Sequence, residues 1–292
     1  MLKQLLYIIK TMRPKQWLKN IFVFAGLVFD RQLVSAPSFV ITLVATFLFC
    51  LASSLVYIIN DLADIESDRE HPAKRHRPLA SGQLSPRTAI IAGVVLGVLT
   101  FPTAFFLNFW LGLIISGYFV LMLAYSFWLK HVPLIDVMII AAGFVMRVAA
   151  GVIIIETERF SPWLFVATVF LALFIGIGKR RAEIELLSSD ASSHRRVLDG
   201  YSLELLDQLL TIVLSATLMT YCLYTFSTAI TPGSYHMMLT IPFVLYGLFR
   251  YLYLVRIENS GGAPEEIITT DRPMQVTIIL WGLTVLVILY LL

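Results

Sequence analysis

What most constrains this chain is the recurrence of apolar runs too numerous for a soluble core. They lie at Trp17–Phe29, Phe39–Ile59, Thr88–Leu107, Phe109–Trp128, Pro133–Ile155, Pro162–Ile177, Leu206–Ala229, Met237–Tyr253 and Met274–Leu292. Most approach the roughly 20 residues that a helix needs to cross a bilayer. In lipid every backbone polar group must be satisfied inside the element, so such runs fold as helices. Charged residues are 14% of the 292, against roughly 25% in a soluble domain. The expected fold class is all-α: a polytopic membrane bundle of about nine transmembrane helices, as one domain over residues 1–292. Trp17–Phe29 is short by itself and is expected to begin as an interfacial segment near Tyr7. The two cysteines, Cys50 and Cys222, fall inside apolar runs and read as packing residues.

Lys and Arg are distributed unevenly along this pattern. With the N-terminus on the cytoplasmic side, 19 of the 22 fall on the inner side, only Arg31 and Arg159 fall outside, and Arg147 lies within a span. That asymmetry sets orientation in an inner membrane. It also puts the long polar loops, 60–87, 178–205 and 256–273, on the cytoplasmic face.

The first of those loops carries the densest chemistry. Asn60 is followed by Asp61, Asp64 and Asp68, at i, i+3 and i+7, a spacing that stacks carboxylates on one helical face. Such carboxylates repel unless a cation lies between them. Mg²⁺ takes oxygen ligands and is often held by one or two carboxylates plus substrate phosphates. Directly downstream, Arg69 to Arg77 bring Lys74, Arg75 and Arg77, cations suited to phosphate. The alternative is a solvated, charge-balanced loop.

A second cluster begins at Lys179, Arg180, Arg181, Glu183 and Glu185 and runs on through Asp190, His194, Arg195, Arg196, Asp199, Gly200 and Tyr201. Lys179 and Glu183 share a helical face, and Lys179 and Arg180 are candidate phosphate ligands. Anchoring to lipid headgroups is the alternative, above all for Arg195 and Arg196. Asp136 and Arg147 are charges in apolar surroundings, and intramembrane charges are candidate functional groups. A structural ion pair between those two is the alternative. Tyr125 and Lys130 close the fourth span and could face the same cytoplasmic mouth. Arg13 and Lys15 are explained by membrane anchoring, whereas Lys19 and Asn20 open the first span and could face inward.

These residues resemble a family. Asn60-Asp61-x-x-Asp64-x-x-x-Asp68 is similar to the first aspartate-rich motif of the UbiA superfamily of intramembrane prenyltransferases. The likeness narrows to the decaprenyl-phosphate phosphoribosyltransferases through several further segments. They are Arg13-Pro14-Lys15-Gln16-Trp17-x-Lys19-Asn20, His71-Pro72-x-Lys74-Arg75-x-Arg77-Pro78-x-Ala80-x-Gly82, and Leu134-Ile135-Asp136-Val137 with Gly143-Phe144-Val145-x-Arg147. Lys179-Arg180-Arg181-x-Glu183 and Asp271-Arg272-Pro273 fit as well. The likeness covers essentially the whole chain. Typical prenyltransferases carry a second aspartate-rich motif after the sixth span, where this chain has Lys179-Arg180-Arg181. A donor with an additional phosphate, held by cations, is therefore expected in place of a prenyl diphosphate.

The resemblance implies a Mg²⁺-dependent glycosyl transfer. 5-Phosphoribosyl 1-pyrophosphate (PRPP) would be the donor and a polyprenyl phosphate in the membrane the acceptor. The product, polyprenyl-phosphoryl 5-phosphoribose, would be a precursor for cell-wall arabinan. Asp61, Asp64 and Asp68 would hold Mg²⁺, and Asn60 would bond ribose or pyrophosphate. Lys74, Arg77, Lys179 and Arg180 would bind phosphates, with Lys19, Tyr125, Lys130, Asp136, Arg147 and Glu183 as further substrate-site candidates. Two other readings stay open: a prenyltransferase acting on an aromatic acceptor, and a transporter of an anionic lipid or metabolite. No nucleic-acid partner is expected, and self-association into a homo-oligomer stays open.

Overall fold

A computed structural model describes residues 2–71, 74–157, 161–189, 198, 200–227, 235–258 and 264–292. The regular elements among the described residues are all helical, with no strand among them. In order, the α-helices are α1 (Leu2–Met12), α2 (Phe24–Phe29), α3 (Ala36–Ala63), α4 (Ile65–Glu70), α5 (Pro86–Leu107) and α6 (Phe109–Phe127). They continue with α7 (Ile135–Ile154), α8 (Pro162–Ser189), α9 (Leu203–Phe226), α10 (Ile241–Arg256), α11 (Pro264–Thr270) and α12 (Arg272–Tyr290). Short 3₁₀ segments fall at Pro14–Val23, Lys74–His76, Leu129–His131 and His236–Thr240.

Eight segments among the described residues are long and apolar enough to cross a membrane, and the chain is an integral membrane protein. Eight of the nine expected runs are matched, most within a few residues, with departures at the first run and at α8. The first expected span, 17–29, is not a regular α-helix. Its residues fall in the 3₁₀ segment, which already begins at Pro14, and in the six-residue α2. The 3₁₀ geometry rises about 2.0 Å per residue against about 1.5 Å for α. The seven 3₁₀ residues 17–23 and the six of α2 would add up to only about 23 Å even in line, short of the hydrocarbon thickness of about 30 Å. α8 differs in the other direction. It continues past the apolar run to Ser189, so the segment Lys179–Glu185 is helix and not loop.

Helix starts are written locally. Ser35, Ser85 and Ser202 each cap a helix by accepting the backbone N–H three residues on, and Asp271 does the same for Met274 at α12.

The chain divides into two compact units. The first comprises residues 1–27, 32–127 and 146–157. Phe49, Leu111, Ile115, Tyr118 and the second half of α7 form its core. Gly26 and Gly151 permit a close backbone approach there: a Cβ on Gly151 would lie 1.8 Å from the Val23 carbonyl oxygen. Small residues allow this kind of contact between membrane helices. The second unit comprises residues 28–31, 128–145 and 158–292. Phe174, Leu206, Leu210 and Val255 lie at its centre. Gly178 lets the Tyr251 ring lie against α8, where a Cβ would come within 2.9 Å of it.

Candidate active site

The first unit gathers its charges at the end of α3. The acidic stripe is not one uninterrupted helix. α3 stops at Ala63, Asp64 takes φ −96° and ψ 10°, and α4 begins at Ile65. The i→i−4 ladder nevertheless runs through the joint: Asp64 N–H donates to Asn60 at 2.9 Å, and Asp68 N–H donates to Asp64 at 2.8 Å. Asp61 and Asp68 therefore stay on one side, each only 2% exposed. Arg77 bridges them, its Nη1 lying 3.2 Å from Asp61 Oδ1 and 2.7 Å from Asp68 Oδ2. Arg13 Nη2 donates to the same Asp61 oxygen at 2.5 Å and its guanidinium stacks over Tyr57 at 4.6 Å. Asp64 stands apart from this lattice and accepts from Asn60 Nδ2 at 3.0 Å.

Buried charge is tolerated only when it is paired and hydrogen-bonded. Two carboxylates with two guanidiniums meet that condition. Membrane anchoring, which the sequence offers for Arg13, is corrected by the structure: Arg13 is an ion-pair partner of the acidic motif. The signal available was its place in the Arg13-Pro14-Lys15-Gln16-Trp17 segment, not its charge.

Among the described residues no group of three or more His, Cys, Asp or Glu side chains could hold a metal ion by itself. The donor set is narrower: two buried carboxylates converging on one cationic nitrogen. This suits a hard divalent cation held by two carboxylates and completed by phosphate oxygens.

Deeper in the same unit, Arg147 is 6% exposed and Asn20 fully buried. Arg147 Nε donates to Asn20 Oδ1 at 2.7 Å, and its Nη2 to the Tyr118 hydroxyl at 2.9 Å. Lys19, Lys74 and Tyr125 of this unit are partly exposed.

The second unit holds a separate lattice. Arg180 is 1% exposed and Asp136 fully buried. Arg180 Nε donates to Asp136 Oδ2 at 2.6 Å, and its Nη1 reaches Glu183. The Tyr201 hydroxyl donates to Asp136 Oδ1 at 2.6 Å and accepts from the Leu134 N–H. Leu134 has φ 67°, a left-handed conformation uncommon for a branched residue, and that bond helps to hold it. Burial, then the bond to Asp136, push the Tyr201 phenol well above its ordinary value, so it stays a proton donor. The structural pairing of Asp136 with Arg147 is thereby corrected. Eleven residues of α7 separate the two by roughly 16 Å, and Asp136 pairs with Arg180.

Arg181 is likewise committed, to Asp207 at 2.8 Å, to Glu185 and to the Val255 carbonyl. Lys179 and Lys130 are partly exposed. Among the described residues no carboxylate pairs with Lys74, Lys130 or Lys179. Asp190, His194, Arg195, Arg196, Asp199 and Arg159 lie outside the described residues.

A profile of the UbiA prenyltransferase family matches residues 20–266. The chain belongs to that family. Among its UbiA relatives is the decaprenyl-phosphate phosphoribosyltransferase of Corynebacterium glutamicum, 33% identical over 290 residues, covering 97% of this chain and 86% of the relative. Another is the Mycobacterium tuberculosis protein of the same name, 33% identical over 288 residues, covering 95% and 92%. The UbiA fold is seen in a homologue from Archaeoglobus fulgidus bound to GPP and Mg²⁺. Its TM-score is 0.69 at 20% identity, with 96% of this chain and 99% of that chain covered.

Proposed function

We propose that this chain is a polyprenyl-phosphate phosphoribosyltransferase. It moves 5-phosphoribosyl from PRPP to a polyprenyl phosphate of the membrane and releases pyrophosphate. The observation that carries this reading is 33% identity, over 97% of the chain, to a relative of that name. The side chains agree with it: buried paired carboxylates suit a metal-bound leaving group, and lysines without a carboxylate partner suit additional phosphates.

The bond that forms joins a lipid phosphate oxygen to ribose C1, and the bond that breaks joins C1 to pyrophosphate. The acceptor needs no strong base, because a phosphate monoester with a second pKa near about 6 is already anionic at pH 7. The ribose develops oxocarbenium-like charge, and the chain's contribution is positioning and electrostatics. Asp61 and Asp68, with Asp64 adjacent, would hold a divalent cation, Mg²⁺ in this proposal, which supplies charge neutralisation of the departing pyrophosphate. Asn60 orients Asp64 and bonds the donor. Lys74 and Arg77 bind phosphate oxygens, as does Lys179. Lys19, Tyr125, Lys130 and Arg147 are assigned to the lipid phosphate or the pyrophosphate. Asp136, Arg180 and Glu183 keep a place in this proposal as the support that orients the Lys179 segment.

The whole chain is proposed to act as one transferase domain in the plasma membrane, with its polar groups on the cytoplasmic side, where Lys and Arg accumulate.

The test is donor competition on the purified chain, with radiolabelled PRPP and polyprenyl phosphate in mixed micelles. Label should enter the lipid phase and pyrophosphate should appear only when both substrates and a divalent cation are present. If geranylgeranyl diphosphate serves as donor and PRPP neither reacts nor competes, the phosphoribosyl reading is refuted.

A further inference from the structure

Arg13 lies at the joint between α1 and the 3₁₀ segment, with φ 54° and ψ 63°. A non-glycine residue there is uncommon, and such conformations persist where the surroundings over-determine them, often at ligand clamps. Its backbone is pinned on both sides, its N–H donating to Lys10 and its carbonyl accepting from Gln16. Its side chain is pinned by Tyr57 and by Asp61. An amphipathic surface helix is thus tied directly to a buried carboxylate of the acidic motif, 48 residues away.

The contested atom is Asp61 Oδ1. It already accepts from Arg13 at 2.5 Å and from Arg77 at 3.2 Å. A divalent cation such as Mg²⁺ bonds a carboxylate oxygen at about 2.0–2.1 Å, inside the space of those N–H groups and with the same sign of charge. The cation and Arg13 therefore compete for this oxygen and repel each other across it. Arg77 also grips Asp68, whereas Asp61 is the one carboxylate that pairs with Arg13 among the described residues, so Arg13 is the guanidinium whose release leaves the Asp68 pair intact.

Resting on the reading above, we infer that Arg13 is a positioning residue that holds Asp61 while no metal is bound. It yields that carboxylate when cation and diphosphate arrive together. The charge balance gives the reason for joint arrival. Asp61, Asp68, Arg13 and Arg77 sum to zero. A lone divalent cation adds two positive charges to that balance. A cation with pyrophosphate adds roughly one negative charge, which the released guanidinium can pair with directly. Arg13 thereby couples metal binding to diphosphate binding.

The experiment is Mn²⁺ binding to the purified full chain, by electron paramagnetic resonance, with Mn²⁺ alone and with Mn²⁺ plus pyrophosphate. Arg13→Gln should bind Mn²⁺ alone about fivefold or more tightly than the parent, a typical size for coupling between sites. The enhancement by pyrophosphate should shrink by a similar factor. A residue that merely stabilised the fold would weaken both. Arg13→Lys keeps the charge and should fall between the two, and it serves if Arg13→Gln does not fold in a thermal melt. If Asp61→Asn abolishes Mn²⁺ binding while Arg13→Gln leaves it unchanged or weaker, the coupling role is refuted and the metal assignment stands. If Asp61→Asn changes nothing, the metal assignment falls, and this inference with it.

Discussion

Lys179 and Arg180 are neighbours in sequence, and the structure gives them opposite consequences. Arg180 is 1% exposed and Asp136 fully buried. Replacing Arg180 by Met leaves the Asp136 carboxylate with the Tyr201 hydroxyl but without its guanidinium. Removing one member of a buried ion pair costs about 3–5 kcal/mol, because the remaining charge stays desolvated. We therefore predict that Arg180→Met lowers the melting temperature in detergent by several degrees or more. Adding Asp136→Asn should recover most of that loss, since a neutral amide needs no counter-charge and can still accept from Tyr201. Lys179→Ala, by contrast, should leave the melt nearly unchanged and weaken PRPP. The loss of one charge-assisted contact is about 1.5–3 kcal/mol, roughly ten- to 150-fold in affinity. The assays are thermal melting followed by tryptophan fluorescence, and PRPP titration on each variant. If Arg180→Met melts like the parent and loses PRPP binding, Arg180 is a substrate ligand and the buried-pair argument fails.

Asp68→Ala should cut turnover by about a hundredfold or more, as losing a preorganised electrostatic partner does; activity within a few-fold at saturating Mg²⁺ would remove Asp68 from the metal site. Gly151→Ala should be strongly destabilising, by about 1–3 kcal/mol or more, because its Cβ would meet the Val23 carbonyl oxygen. Gly282→Ala, with nothing within 4 Å of the new Cβ, should be neutral or slightly stabilising, and comparing the two melts checks the contact. The Arg250 hydrogen bond holds the Asp271 carboxyl below its ordinary value, helped by the Met274 N–H. A lowered carboxylate contributes stability that is complete above its unfolded pKa and is lost as pH falls through its folded one. Asp271→Asn, which still caps α12, should therefore melt below the parent by a constant margin at neutral pH. The margin should close only below about pH 4, and a margin that persisted at lower pH would refute the ion-pair cause.

The membrane class and the helix positions were legible in the sequence because both depend on local quantities. A run's length against the bilayer thickness decides whether it spans, and a Ser or Asp three residues before an amide decides where a helix starts. The irregular first span was not legible, because an apolar run of that length is compatible with α or 3₁₀ geometry. The Gly151 contact with the Val23 carbonyl lies at the end of the 3₁₀ stretch. The concentration of carboxylates at 61–68 with cations at 69–77 was legible too, as composition within one loop.

Which charge meets which was not. Arg13 finds Asp61 across 48 residues and Arg180 finds Asp136 across 44, while Lys179, one residue from Arg180, meets no carboxylate among the described residues. Adjacent residues on a helix point about 100° apart, so one of them is carried into the packed interior and the other stays at its edge. The depth of burial then fixes how much a partner is worth. Periodicity along the chain shows that two cations take different directions. Only the packing of distant helices against them shows which direction is inside.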